Sequence, residues 1–169
     1  MLFTNEYLLL SGGNMITFSV QEVVEQAVQT EKLGNEFYTK MAKKFEDHNE
    51  LKKLFELLAA HELKHGTSFS GMKDKIGQEE PAEWNEVTPY LRAIVDSEFF
   101  LGKDKCLPSL EHVKTALEAI EFSLCFERET LLYYYSLREA LKEKDLIDAI
   151  IQEEKSHIIW LNNLRKSFV

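Results

Sequence analysis

The chain has 169 residues, a length typical of one domain, and 44% of them are hydrophobic, which is enough to bury a sizeable core. The formal net charge of −9 disfavours direct binding to nucleic acid or to an anionic membrane surface. Only 7 glycines and 3 prolines are present and strand-type alternation is scarce, so the composition favours an all-α protein. No run of 18 apolar residues occurs, so no segment is predicted to span a membrane.

The two cysteines and the N-terminal residues indicate a cytoplasmic protein. Cys106 and Cys125 are not arranged as Cys-x-x-Cys, so neither a disulfide nor a thiolate metal site is expected, and both are predicted to be thiols. The N-terminus lacks the basic segment of a secretory signal. Residues 1–15 are predicted to be an arm that either packs on a partner chain or lies upstream of a true start at Met15, and residues 16–169 are predicted to form the domain.

The first helix is predicted to begin at the capping box formed by Ser19-Val20-Gln21-Glu22. Its apolar positions recur every three or four residues, as on one face of a helix, and Glu31 occupies one of them. Gly34 follows on the same face, where a missing side chain would allow a neighbouring group to approach. The stripe comprises Val20, Val24, Ala27, Glu31, Gly34, Tyr38, Met41 and Phe45.

The second helix follows after a short connection with Asp47 as its predicted cap, so the first two helices are expected to be antiparallel neighbours. Glu62 and His65 occupy positions of its apolar stripe. His61 lies roughly 100° around the helix from Glu62 and is predicted to lie off the apolar seam. The stripe comprises Leu51, Leu54, Leu58, Glu62, His65, Phe69 and Met72.

A long crossover is predicted between residues 71 and 107, where the helical pattern is interrupted. Thr88-Pro89 fits a cap followed by proline at the first helical position, and this predicts a short helix from Tyr90 to Leu101. A crossover of this length would make the third long helix parallel to the second, as in four-helix bundles with one long connection.

The third and fourth long helices are predicted from about Leu110 to Lys142 and from a cap at Asp145 to Lys166. Glutamate and histidine again occupy apolar positions. The stripes are Val113, Leu117, Ile120, Leu124, Glu127, Leu131, Tyr134 and Leu141 in the third helix, and Leu146, Ile150, Glu154, His157, Leu161 and Leu164 in the fourth.

The two halves of the chain repeat one pattern of inward-facing glutamate and histidine. Each half is predicted to be a helical hairpin that supplies one Glu and one Glu-x-x-His, so neither hairpin completes the site alone. Buried unpaired carboxylates would each cost several kcal/mol, and bound cations are expected to neutralise them. Four carboxylates balance two divalent cations, and an oxygen-rich set with two imidazoles suits iron or manganese. The first half contributes Glu31, Glu62 and His65, and the second contributes Glu127, Glu154 and His157, at offsets of 96 and 92 residues.

Four segments carry a resemblance to a known family: Glu31-Lys32-Leu33-Gly34-Asn35-Glu36-Phe37-Tyr38, Glu62-Leu63-Lys64-His65, Glu127 and Glu154-Lys155-Ser156-His157. They resemble the rubrerythrin branch of the ferritin-like superfamily, and the resemblance covers about Ser19 to Lys166. It implies a ferritin-like four-helix bundle made of two hairpins joined by the crossover, with two iron ions, or manganese, in each chain.

The resemblance also implies a role for each ligand. Glu31 and His65 would be terminal ligands of one metal, Glu127 and His157 would be those of the other, and Glu62 and Glu154 would bridge them. This sequence departs from the family pattern in two ways. It has no cysteine pairs of a rubredoxin-type domain, and Thr130 stands where some members carry a further glutamate.

Three functions fit these residues. The first is an oxidoreductase that reduces hydrogen peroxide, with O₂ as the other candidate oxidant, and takes electrons from a separate donor such as a rubredoxin. The second is a ferroxidase or iron-binding protein, and the third is a metal-stabilised interaction module without turnover. A homodimer is expected from the resemblance and the apolar arm. Tyr38 and Tyr134 lie one heptad after ligand residues and are interpreted as core-filling, with hydrogen bonding or electron donation as the alternative.

Overall fold

The computed structural model describes residues 19–76, 89–91, 111–142 and 144–168, and four long α-helices make up most of them. The helices are α1 (Val20–Lys44), α2 (Asn49–Lys73), α3 (Ala116–Ala140) and α4 (Lys144–Arg165). The described ranges contain no strand, which confirms the all-α prediction. The predicted arm and most of the predicted crossover lie outside them, although residues 89–91 are helical.

Each hairpin consists of two antiparallel helices, as predicted. In the first hairpin, formed by α1 and α2, Lys73 near the end of α2 lies 2.6 Å from Glu25 near the start of α1. In the second hairpin, formed by α3 and α4, Arg165 at the end of α4 lies 3.1 Å from Glu121 near the start of α3. These two ion pairs occupy matching places, because the same offsets of 96 and 92 residues relate them.

Contacts between the hairpins give the direction of the remaining helices. Tyr38 of α1 contacts Glu127 of α3, and Tyr134 of α3 contacts Glu31 of α1. The order of the contacts is reversed along the two helices, so α1 and α3 are antiparallel. Since α2 is also antiparallel to α1, α2 and α3 run parallel, as the predicted crossover requires.

Matching capping boxes begin the first helix of each hairpin. At α1, the backbone N–H of Glu22 donates to Ser19 Oγ and the N–H of Ser19 donates to the Glu22 carboxylate, as predicted. Thr115 and Glu118 form the same pair at the start of α3, so the predicted start near Leu110 is wrong. Both pairs satisfy backbone N–H groups that the first turn of a helix leaves without partners.

The predicted acidic caps of the other two helices are wrong. His48 precedes α2 and makes no capping hydrogen bond through its side chain, while Asp47 lies in the turn before it. The fourth helix begins at Lys144, so Asp145 lies in its first turn. Acidic side chains are favourable both as caps and in the first turn, because both places are close to the positive end of the helix dipole. The pattern therefore locates a helix start only to within a residue or two.

The apolar residues form two clusters at opposite ends of the bundle, and the predicted stripe of α1 is buried along its whole length. The ligand-type residues lie in the layer between the clusters. The first cluster includes Tyr38, Met41, Phe55, Leu58, Leu124 and Phe126. The second includes Val24, Ala27, Phe69, Tyr134, Leu137 and Ile150.

Two further predictions concern the cysteines and the membrane. Cys125 on α3 is disulfide-bonded, so the predicted thiol is wrong at this position, and the other cysteine of the chain lies outside the described residues. A disulfide outside a Cys-x-x-Cys motif leaves no local spacing signal, which is why the sequence pattern did not indicate it. Within the described ranges, no helix has the length and apolar character needed to cross a membrane.

Candidate metal centre

All six predicted ligand residues lie in the layer between the two apolar clusters, and at most 1% of each is exposed. They form two groups of four that share two carboxylates. Within each group, one ligand atom from every residue lies within 4.8 Å of the others. Each group is therefore small enough for one metal ion to contact four residues. Group I is Glu31, Glu62, His65 and Glu154, and group II is Glu62, Glu127, Glu154 and His157.

In both groups the Nδ1 atom of the imidazole faces the carboxylates. His65 Nδ1 lies 2.9 Å from Glu154 Oε1 and 3.6 Å from Glu31 Oε2. His157 Nδ1 lies 3.3 Å from Glu154 Oε2 and 3.3 Å from Glu127 Oε2. The two oxygens of Glu154 thus approach one imidazole in each group, as a carboxylate shared by two metal positions should.

Two tyrosines cross between α1 and α3 to contact the unshared carboxylates. The Tyr38 hydroxyl donates to Glu127 Oε1, and the Tyr134 hydroxyl donates to Glu31 Oε1. Burial first, and then the nearby carboxylates, raise the pKa of both phenols well above the usual value, so both retain their protons. Both tyrosines fill core space as predicted, and they also orient the carboxylates, which was the alternative interpretation.

The outer nitrogens of the two imidazoles have different partners. His65 Nε2 lies 3.1 Å from Glu153 Oε2, and His157 Nε2 lies 3.0 Å from His61 Nδ1. His61 lies off the fully buried stripe of its helix, as predicted, but its imidazole nevertheless contacts a ligand residue of the site. Both partners were missed, although a signal existed: each immediately precedes the glutamate of a Glu-x-x-His motif, and an offset of 92 residues relates them.

Several ligand atoms make no hydrogen bond of normal geometry within the described part of the chain, although His65 Nδ1 and Glu154 Oε1 lie 2.9 Å apart. They are Glu31 Oε2, both oxygens of Glu62, both oxygens of Glu154, and His65 Nδ1. Buried polar atoms are normally satisfied, and an isolated buried carboxylate is particularly costly. Convergent carboxylate oxygens with an imidazole in each group, and no thiolate, fit two divalent cations of the iron or manganese type.

Without cations, protons would have to neutralise this cluster. Burial and the neighbouring carboxylates raise the pKa of Glu62 well above its usual value, and burial raises the pKa of Glu127 to about 8. Burial disfavours charged imidazoles, but nearby carboxylates outweigh it and raise the pKa of His65 to about 11 and that of His157 to about 10. Protons and metal ions would therefore compete for the same atoms.

Gly34 permits close packing beside the shared carboxylate, as predicted. A Cβ atom at this position would lie 2.8 Å from a ring carbon of Phe126 and 3.0 Å from Glu62 Oε2, which is closer than normal contact. The equivalent residue of the second hairpin is Thr130, which is buried and whose Oγ1 has no hydrogen-bond partner among the described residues. The two sides of the site are thus packed differently.

A groove with a volume of about 430 Å³ lies between α1 and α2 and reaches Glu62. Gly66 forms part of its wall, and a Cβ atom there would lie 3.4 Å from Glu31 Cβ, an ordinary to slightly tight contact. The equivalent residue of the second hairpin, Ile158, packs against the first apolar cluster instead. The groove is lined by Val28, Lys32, Asn35, Glu62, Leu63, Gly66, Thr67 and Ser70.

Comparison with known proteins agrees with the resemblance in the sequence. The family profile of the rubrerythrins matches residues 22–165. A solved structure from Thermotoga maritima, described as a ferritin-like diiron-carboxylate protein, has 21% sequence identity and a TM-score of 0.67 over 90% of this chain and 98% of that chain. At this identity the likeness shows the fold alone, which is ferritin-like. No curated protein matches the chain. Because the family profile spans most of its length, the chain belongs to the rubrerythrin family.

Proposed function

We propose that the protein is a non-haem di-iron oxidoreductase, or its di-manganese counterpart, that reduces hydrogen peroxide to water with electrons from a separate donor such as a rubredoxin. The observation that supports this best is the pair of ligand groups that share Glu62 and Glu154. In this proposal Glu31 and His65 complete one metal position, and Glu127 and His157 complete the other. Sharing two carboxylates would keep the two ions close enough to act on one small oxidant.

The chemistry requires two electrons and two protons for each peroxide, and two ferrous ions supply the electrons when bound. The protein's own residues hold the ligands, exclude bulk water and position protons. The hydroxyls of Tyr38 and Tyr134 hold protons at the oxygens that donate to Glu127 and Glu31. The apolar clusters above and below the layer keep bulk water away, which strengthens the electrostatic interactions within it.

The groove between α1 and α2 supports a route for a small oxidant. It reaches Glu62, one of the two shared carboxylates, and Gly66 contributes no side chain to its wall. In this proposal peroxide enters on the first hairpin, while Ile158 closes the equivalent place on the second. A narrow route of this kind favours peroxide or O₂ over larger substrates.

Stopped-flow mixing of the diferrous protein with hydrogen peroxide or with O₂ tests the proposal. The expected result is faster oxidation by peroxide, two water molecules formed per peroxide, and no uptake of iron beyond the dinuclear site. Faster oxidation by O₂, followed by deposition of added Fe²⁺, would replace the proposal with a ferroxidase. No reaction with either oxidant would favour the interaction module.

Matched variants separate the site from the rest of the bundle. Glu127→Ala removes one carboxylate from group II and should slow the reaction with either oxidant. Glu121→Gln changes a glutamate on the same helix that contacts Arg165 outside the site, and it should leave the rate unchanged. Equal rates in these two variants would contradict a reaction at the six-residue cluster.

A further inference from the structure

The imidazoles of the two ligand groups are supported by different chemical groups. His65 Nε2 of group I lies 3.1 Å from a carboxylate oxygen of Glu153, whereas His157 Nε2 of group II lies 3.0 Å from an imidazole nitrogen of His61. Glu153 and His61 occupy equivalent positions of the two hairpins, because each immediately precedes a shared glutamate. The ligands therefore repeat between the two hairpins, but the residues that contact the outer nitrogens of the histidine ligands do not.

Glu153 is held in place as an anion. Its Oε1 lies 2.7 Å from Lys64 Nζ, while its Oε2 faces His65, and 31% of its side chain is exposed. His61 is similarly placed, with 25% of its side chain exposed, and it contacts the ring of Trp160 at 5.8 Å between centroids. Its Nδ1 also lies 3.6 Å from Glu153 Oε2.

The identity of this outer partner changes the strength of a histidine as a ligand. With Nδ1 directed at a metal, the proton of the imidazole resides on Nε2, and this N–H donates to the outer partner. A carboxylate acceptor makes the ligand more basic and fixes its orientation, and loss of such a partner typically lowers metal affinity about 10- to 100-fold. A neutral imidazole accepts the same hydrogen bond without contributing a negative charge.

We propose that the two metal positions of this chain differ in affinity, with group I filling before group II, because Glu153 supports His65 while His61 supports His157. In this role Glu153 and His61 are positioning residues that act through the histidine ligands. The inference rests on the proposed dinuclear centre but does not depend on peroxide as the substrate.

Titration of the metal-free protein with Mn²⁺ tests this difference, followed by electron paramagnetic resonance and by calorimetry. The expected result is sequential loading. The first equivalent gives the spectrum of isolated Mn²⁺ and the second couples to it, with affinities that differ by about tenfold or more. Two equal affinities, corrected for statistics, would overturn the inference.

Single-ligand variants identify which group fills first. Glu127→Gln weakens group II and should retain the tighter binding step, whereas Glu31→Gln weakens group I and should lose it. Retention of the tighter step in Glu31→Gln and its loss in Glu127→Gln would contradict the assignment to group I.

Exchanging the outer partners gives the sharpest test. Glu153→Gln keeps a hydrogen-bond acceptor but removes the charge, and it should weaken the first step by about tenfold or more. The double exchange Glu153→His with His61→Glu should reverse the order, so that Glu31→Gln now retains the tighter step. Glu121→Gln is the matched control for charge and should change neither step, and circular dichroism checks that each variant is folded. An unchanged order in the folded double exchange would overturn the inference.

These experiments distinguish a failure of the proposed affinity difference from a failure of the proposed peroxidase function. Failure to bind Mn²⁺ at either group would overturn the dinuclear centre and this inference together. Two unequal positions in a protein that does not consume peroxide would support this inference and overturn the peroxidase.

Discussion

The two hairpins are alike at the metal centre and differ around it. Each contributes one unshared glutamate, one shared glutamate and one histidine to the layer between the apolar clusters. The likeness extends to the capping boxes and to the ion pairs that join the two helices of each hairpin. A repeated hairpin is therefore sufficient to explain the ligands, the helix starts and the antiparallel packing.

The differences lie in the residues that flank the ligands. The first hairpin has Gly34 and Gly66 where the second has Thr130 and Ile158. Gly66, but not Gly34, lines the groove that includes Glu62 in its wall on the side of the first hairpin. The ligands of the two hairpins therefore match, while the residues that pack beside them differ.

Neither hairpin has enough ligands for the centre, and this links metal binding to the assembly of the bundle. A separate hairpin would offer only two carboxylates and one imidazole, which are too few to coordinate two ions. Because the ions bind the folded chain, they should stabilise it in proportion to their affinity and concentration.

Removing the metal should have the largest effect on stability. A free ion at 100 times its dissociation constant adds about 2.7 kcal/mol to the free energy of unfolding for each site, so chelation should lower Tm strongly. Differential scanning calorimetry of metal-loaded and metal-free protein measures this difference. Equal Tm values at neutral pH would contradict a centre that is shared by both hairpins.

The metal-free protein should also lose stability as pH rises. The pKa of Glu127 is raised to about 8, and those of His157 and His65 to about 10 and about 11. A group whose pKa is higher in the folded chain contributes its full stabilisation at pH values below its pKa in the unfolded chain. That contribution is lost as the pH rises through the pKa in the folded chain. Tm of the metal-free form should therefore fall between about pH 6 and pH 10, whereas metal binding strengthens as the ligands deprotonate. A metal-free Tm that rises over this interval would contradict the protonated cluster.

Gly34→Ala tests the tight side of the first hairpin. The added methyl group would crowd the Phe126 ring and Glu62, and overpacking of this kind costs about 1–3 kcal/mol. Alanine recovers up to about 1 kcal/mol in helix propensity, so the net effect should still be destabilising. Urea denaturation measures the change. Gly71→Ala is the control, since among the described residues no atom beyond its own stretch of helix lies within 4 Å of its Cβ position, and it should be neutral or stabilising.

Gly66→Leu tests the open side of the same hairpin. The larger side chain should fill the groove above Glu62 and slow oxidation of the diferrous protein by peroxide about tenfold, which corresponds to about 1.4 kcal/mol in the barrier. Metal content should stay at the wild-type value. Gly71→Leu places the same side chain on the exposed face of α2 and should not change the rate. An unchanged rate in a folded, metal-loaded Gly66→Leu protein would exclude this groove as the entry route.

The comparison also explains what could be predicted from the sequence. A buried glutamate such as Glu31 interrupts an otherwise apolar helical face, so the spacing of the apolar residues along the sequence is enough to identify it. The offset of 96 residues between the two hairpins then identifies Glu127 as its counterpart. The residue that caps a helix is harder to identify from the sequence, because acidic side chains are favourable at several positions near a helix start. For this reason the prediction of Asp47 and Asp145 as caps is wrong.

The outer partners could not be identified from helical periodicity alone. His61 lies off the apolar stripe of its own helix, and its contact with His157 depends on how α2 packs against α4. Glu153 likewise faces His65 across the same two helices. Contacts of this kind follow from the packing of the bundle, whereas the stripes follow from the geometry of one helix.

Metal content is the most direct test of a dinuclear centre shared by the two hairpins. After loading with ferrous iron and removal of free metal, elemental analysis of the wild-type protein should give two ions per chain. Glu62→Ala or Glu154→Ala should lose more metal than Glu31→Ala, because Glu62 and Glu154 belong to both ligand groups and Glu31 to one. Trace metal in the wild-type protein, or equal retention in all three variants, would contradict the shared dinuclear centre.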